Sequence, residues 1–233
     1  MRNYVLINNS SSLNKAGLAI SELPPITKPL MRSLVEEIDG KDGDIVTKLG
    51  YSAYDKEMTI GLYPGYDINA IISFFNQSGK ITFSNEPDKY YNFEILEQID
   101  YEALLKFKTA VVTFHCQPFK YPISETAITT TAVNTDITVN NLGNYFAKPT
   151  ITIVGNGTVN VYLGSTQIFS VEVSGTVVID TTNLEAYNPS TLELMNRNVT
   201  GNISNLKLDP GNNTMKFTGD LTSATISNYT RWL

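Results

Sequence analysis

Few residues in this 233-residue chain have the types and spacing that chemistry requires. His115-Cys116 places the only histidine beside the only cysteine, the raw material of a thiolate nucleophile and its base. The segment Thr109–Cys116 reads as a strand, however, and neighbouring side chains on a strand point to opposite faces. The two cannot share a proton, and a core cysteine beside a satisfied histidine is the plainer reading. One histidine and one cysteine are also too few for a transition-metal site, which draws on about three or four soft or imidazole ligands. Asp39, Asp42 and Asp44 have the composition of a calcium loop, but their offsets are wrong for an EF-hand. Gly50 stands where the bidentate Glu belongs. They read as a solvated turn, with calcium as the lesser alternative. Glu36-Glu37 and Asp100/Glu102 are acidic pairs of the kind a glycosidase uses, yet nothing in the sequence sets either pair across a cleft. Walker A, GxGxxG, GxSxG and HExxH sequences are absent. The expectation is a non-enzyme with no catalytic residue, cofactor or metal.

The elements that would position any site are mostly strands. The chain is 42% hydrophobic, with 13 Tyr and 10 Phe, enough for a real core. Asn, Thr, Ser, Val, Ile and Tyr are abundant, and long Leu/Ala/Glu/Lys-rich stretches are missing, which favours β structure. No run of about 18 apolar residues is present to span a membrane, and the first residues, MRNYVLINNSSS, are too polar for a signal peptide. A single cysteine excludes an internal disulfide framework and suits a protein made in a reducing cytoplasm. With a net charge of −6 and no basic stripe, sequence-reading of nucleic acid is not expected.

Charge density divides the chain near Pro122. Residues 1–122 carry 12 Lys/Arg and 15 Asp/Glu, whereas residues 123–233 carry 5 and 8. Pro118-Phe119-Lys120-Tyr121-Pro122 reads as an extended connector, so the boundary is placed within 118–128. In residues 1–122 the pattern predicts strands at Met31–Ile38 and Met58–Tyr63, with the Asp39–Gly43 turn after the first. A helix is predicted over Ile68–Ser78, capped by Asp67, apolar at Ile68, Ile71, Ile72 and Phe75, and closed by Gly79. A hairpin of Lys80–Phe83 and Tyr90–Leu96 follows around Asn85–Asp88, then the strand Thr109–Cys116. This is an α+β domain.

In residues 123–233, strand candidates recur at Ile137–Asn140, Thr150–Val154, Val159–Leu163, Ile168–Val173, Val177–Asp180, Thr214–Phe217 and Thr225–Tyr229. Gly155-Asn-Gly157, Gly164-Ser165 and Pro210–Asn213 are the expected turns, giving a jelly-roll-like β-sandwich. Such sandwiches hold sugars on exposed aromatics. Trp232 and Tyr145 are the candidates for stacking on a glycan, against the plainer reading that they pack. Asn-x-Ser/Thr triplets such as Asn156-Gly-Thr158 follow from the Asn and Thr content and need not mark glycosylation.

An ordered set of motifs resembles the distal tail proteins (Dit family) of long-tailed phages infecting Gram-positive bacteria. It comprises Ile38–Asp44, Lys80-Ile-Thr-Phe-Ser-Asn-Glu-Pro-Asp-Lys-Tyr-Tyr91 and Thr113-Phe-His-Cys-Gln-Pro-Phe-Lys-Tyr-Pro122. Asn141-Leu-Gly-Asn144, Ala147-Lys-Pro149, Leu208–Asn212 and Arg231-Trp232-Leu233 complete it. The resemblance implies a mainly β protein: an α+β ring-forming belt domain (1–122) and a galectin-like sandwich (123–233). It implies a homo-oligomer, a hexameric ring alone or as two stacked, at the virion tail tip, made in the host bacterial cytoplasm from a phage or prophage gene. The ring would join the major tail protein above to a tail-associated lysin or fibre protein below, with a receptor-binding protein as a further partner. DNA would traverse the lumen without specific binding. Ring contacts are expected on the 80–96 hairpin and the 109–116 strand, with Lys80, Phe83, Tyr90, Tyr91 and Phe114 as candidates. A carbohydrate-binding baseplate module contacting host-surface glycans is the alternative.

Overall fold

The computed structural model describes residues 2–233, which divide into two compact units, one ending at Ile123 and one spanning Ser124–Trp232. Both are built chiefly of strands.

The first unit contains β1 (Val5–Ile7), β2 (Ser10–Ser11), β3 (Leu18–Glu22), β4 (Met31–Glu37), β5 (Asp44–Tyr51), β6 (Tyr54–Leu62), α1 (Ile68–Phe75), β7 (Gly79–Phe83), β8 (Lys89–Glu94), α2 (Tyr101–Phe107) and β9 (Thr109–Pro122). Seven strands form one antiparallel sheet in the order β2-β1-β7-β8-β9-β6-β3. Its inward face follows the period of two: Val5 and Ile7, Ile81 and Phe83, Tyr91 and Phe93, Val112, Phe114 and Cys116, Met58 and Ile60 are all buried. Ile71, Phe74 and Phe75 of α1 and Leu104 of α2 join the same core.

The Asp67 carboxylate accepts from Ala70 N–H at 3.1 Å, as an N-cap should. The predicted apolar stripe is corrected in one place. Phe74 is buried while Ile72 remains 36% exposed, because Ile71, Phe74 and Phe75 sit at i, i+3 and i+4 and Ile72 is turned about 100° away from Ile71. The helix also stops at Phe75, with Asn76 N–H on Ile72 O. Gly79 instead opens β7 at φ +128, where a Cβ would meet Asn8 Oδ1 at 2.4 Å. The expected connector at 118–122 is likewise a continuation of β9, pairing Lys120 with Tyr91 and Pro122 with Lys89. The prolines are tolerated because β6 pairs β9 only as far as Cys116, so residues 117–122 lie on an edge, and Pro118 falls in the register shift opposite Asn92.

The second unit contains β10 (Ile128–Thr130), β11 (Asp136–Asn141), β12 (Thr150–Leu163), β13 (Thr166–Asp180), β14 (Glu185–Tyr187), β15 (Val199–Gly201) and β16 (Gly211–Ser227). The strand candidates predicted in pairs prove to be halves of three long strands, β12, β13 and β16. Thr150–Val154 pairs with one end of β13 and β16, and Val159–Leu163 with the other. The sheet curls between these halves into a sandwich, with Ile151, Ile153, Val159, Val161, Phe169, Val171, Phe217 and Ile226 inside. Gly155-Asn-Gly157, predicted as a turn, is the corner of β12. An added Cβ at Gly155 would lie 2.4 Å from Asp220 O, and one at Gly219 would lie 2.1 Å from Thr158 O, so glycine is what lets the two backbones cross there.

Candidate functional site

The first unit extends a two-stranded arm, β4 with β5, that belongs to neither large sheet. A hairpin forms because the residues pair in register, Val35 with Val46 and Glu37 with Asp44, around the Asp39–Gly43 turn. Gly40 and Gly43 supply the positive φ values of that turn (+80 and +76). No core lies beneath the arm. Leu34, Val35, Ile38, Ile45, Val46 and Leu49 are between 37% and 60% exposed. A lone hairpin is marginal in water, and aliphatics displayed on both faces call for a partner surface. Around the tip stand Glu36, Glu37, Asp39, Asp42 and Asp44 with a single lysine, Lys41, all exposed. Among the described residues no three His, Cys, Asp or Glu side chains converge as a metal cluster.

The arm's root is fixed by hydrogen bonds from β6 and from the turn between β7 and β8. Pro24 and Pro25 have no N–H to extend β3, and their carbonyls accept from Asn85 Nδ2 (2.9 Å) and Lys56 Nζ (3.0 Å). Ser52 N–H closes the base on Leu30 O at 2.9 Å. Lys56 is buried, its ammonium over the Tyr54 and Tyr91 rings at 5.1 and 4.9 Å. Burial lowers its pKa by penalising the charged form. Beside it Glu86 accepts from Tyr91 Oη at 2.6 Å and from Lys120 Nζ at 2.8 Å, which satisfies a buried charge with a partner. Burial, followed by the Glu86 hydrogen bond, pushes the Tyr91 hydroxyl up.

The residues singled out by sequence fall into different places. Phe83, Tyr91 and Phe114 are at most 2% exposed and fill the core. Their side chains offer nothing to a neighbour; strand alternation turned them inward. Lys80 and Tyr90 lie on the opposite, open face, with Lys80 Nζ 4.4 Å from the Tyr90 ring and Tyr90 stacked on Tyr121 at 5.6 Å. Tyr145 and Trp232 are half-buried in the second unit, and Tyr145 packs on Phe146 at 4.5 Å with the Arg231 guanidinium 5.3 Å from its ring.

His115 and Cys116 separate as strand geometry requires. His115 Nδ1 bonds Asp55 at 2.7 Å on the open face, while Cys116 is fully buried and desolvation pushes its thiol up to about 12. A thiol in that state is a poor nucleophile. Asp100 is engaged as the N-cap of α2, accepting from Ala103 N–H at 2.8 Å. Sequence reasoning missed β5 and the exposure of the arm. The available signal was the lack of strict apolar alternation in Leu34-Val35-Glu36-Glu37 and Ile45-Val46, which fits a strand pair with no buried face.

No protein-family model matches the chain, and no curated protein matches it. Solved structures do. The chain is similar over its full length to the Dit protein of phage SPP1, described as a paradigm of the hub adsorption apparatus of phages infecting Gram-positive bacteria. The TM-score is 0.66 at 19% identity, covering 100% of both chains. It is also similar to a chain of the phage P2 baseplate in its activated conformation with calcium. Here the TM-score is 0.50 at 10% identity, covering 100% of this chain and 99% of the other.

Proposed function

We propose that this chain, which shares a full-length fold with a phage hub protein, is the structural hub of a phage tail tip. In this reading it is a ring-forming adaptor that joins the tail tube to the adsorption device and carries out no catalysis. One observation carries the reading: the β4–β5 arm, whose aliphatic side chains have no core to enter within their own protomer. Covering six half-exposed aliphatics contributes on the order of 1 kcal/mol each. That is comparable with the lower estimates of the cost of association, about 4 kcal/mol and upward. A single arm contact is therefore weak, and a closed ring, in which every copy gives and receives an arm, multiplies it. Six copies is the count that the sequence resemblance implies. Neighbours above and below the ring would be other tail proteins, with DNA passing through the lumen.

The test is the mass of the purified protein by light scattering over a concentration series, with negative-stain images of any large species. Rings of six copies, or of two stacked sixes, with an open lumen are expected. A strict monomer at every concentration overturns the ring reading.

A further inference from the structure

We infer that the acidic tip of the arm docks head-to-tail on a basic, aromatic patch at the C-terminal end of α2 in a second copy of this chain. The inference rests on the ring reading and adds the seat that the arm occupies. The patch is Leu105, Lys106, Phe107 and Lys108 with Tyr63. Phe107 is 65% exposed, Tyr63 62% and Leu105 38%. Leu62 N–H on Lys108 O (3.0 Å) sets the two segments side by side. Lys106 Nζ stands 5.3 Å from the Phe107 ring. Lys108 Nζ bonds Leu105 O at 2.7 Å and lies 5.0 Å from the Tyr66 ring. Among the described residues the ion pairs are Lys89–Asp88, His115–Asp55 and Lys120–Glu86, so neither Lys106 nor Lys108 is engaged by a carboxylate. Glu102, one turn earlier on α2, is the acid of that helix.

Three features choose this seat. The first is charge: a tip with five carboxylates and one lysine meets two ammonium groups that no carboxylate neutralises, set among apolar side chains. An open groove of about 500 Å³ lined by Ile72, Phe75, Leu96 and Ile99 carries Glu94 and Glu97, which would repel the tip. The second is the same repulsion between two tips, which disfavours a two-fold dimer through paired arms. The third is placement. The arm joins the sheet next to Tyr54, opposite Cys116, whereas the patch adjoins Gly61, opposite Thr109. The arm's root and the seat therefore lie at opposite ends of the paired stretch of β6 and β9, about 24 Å apart at strand rise. A contact between two different surfaces at opposite ends of one domain is heterologous, and such a contact builds a ring where the rotation between copies closes and a filament where it does not, rather than a two-fold dimer.

The experiment is a charge swap read by light scattering and negative stain, with circular dichroism to confirm folding. Lys106→Glu with Lys108→Glu is expected to raise the concentration for half-assembly about tenfold or more. Glu36→Lys with Glu37→Lys is expected to do the same, and the four changes together to restore assembly. If the patch-reversed protein forms rings at the parent concentration, the seat is wrong while the ring reading stands. If the four-change protein assembles no better than either two-change protein, the pairing of tip with patch is wrong. If the parent protein itself forms no ring, the ring reading falls and the seat with it.

Discussion

Replacing Gly219 by alanine should cripple the second unit, whereas the same change at Gly164 should cost much less. Both glycines have positive φ, +94 and +59 respectively. At Gly164, in the turn between β12 and β13, nothing lies within 4 Å of an added Cβ. The cost is the left-handed backbone, about 1–2 kcal/mol, reduced by roughly 0.4–1 kcal/mol because alanine also restricts the unfolded chain. At Gly219 the Cβ would sit 2.1 Å from Thr158 O and 3.2 Å from its carbonyl carbon. Both atoms are backbone, so relief requires β12 and β16 to part at the corner where the sheet folds over its core. Backbone strain of about 1–3 kcal/mol and overpacking of about 1–3 kcal/mol then add, giving about 2–6 kcal/mol. Trp232 is the only tryptophan and belongs to this unit, so its fluorescence reports the transition. With a urea slope of about 2 kcal/mol/M, the midpoint should fall by about 1–3 M for Gly219→Ala and by under about 0.8 M for Gly164→Ala. Equal shifts for the two variants would refute the claim that close backbone approach, rather than φ alone, sets the corner.

Phe114→Ala should cost the first unit about 3–5 kcal/mol. Its ring lies 5.5 Å from Phe93, 5.7 Å from Phe83 and 6.4 Å from Phe75, and alkylation of the buried Cys116 at lower urea would register the loss. Tyr90→Ala, on the open face, should cost about 1–2 kcal/mol by the same readout; a larger loss than for Phe114→Ala would contradict the assignment of faces. The first unit should also weaken in alkali. Burial raises the Cys116 pKa from 9.0 to about 12, so its contribution is whole below pH 9 and is lost as pH rises towards about 12. The slope approaches about 1.4 kcal/mol per pH unit, and Cys116→Val should flatten that part of the profile in urea titrations at stepped pH. Finally, replacing residues 33–48 by a short turn should leave the thermal transition within about 1 kcal/mol of the parent, because the arm lends nothing to the core, while abolishing large species in light scattering.

Composition and periodicity alone determined the class of molecule and much of its local structure. A chain rich in β-branched and aromatic residues had to form sheets. Asp67 before an apolar stripe placed the start of α1, and the period of two from Thr109 to Cys116 separated His115 from Cys116. These are local consequences of backbone geometry, and local patterns carry them. Tertiary structure alone decided the rest. Gly155 and Gly157 look like turn residues in sequence, yet the close approach of Asp220 from β16 makes them the corner of a long strand. Pro118 and Pro122 look like a linker, yet the end of β6 leaves β9 an edge on which missing N–H groups cost little. Phe83, Tyr91 and Phe114, candidates for a surface, proved to be core while Tyr90 stayed on the open face, because which face of a strand is covered depends on where α1 and α2 lie. The arm is the clearest case: its aliphatics resemble any other strand's, and only the absence of a sheet beneath them turns Leu34, Val35 and Val46 from core residues into exposed ones. Exposure is a property of what the rest of the chain fails to cover, and no window of neighbouring residues contains it.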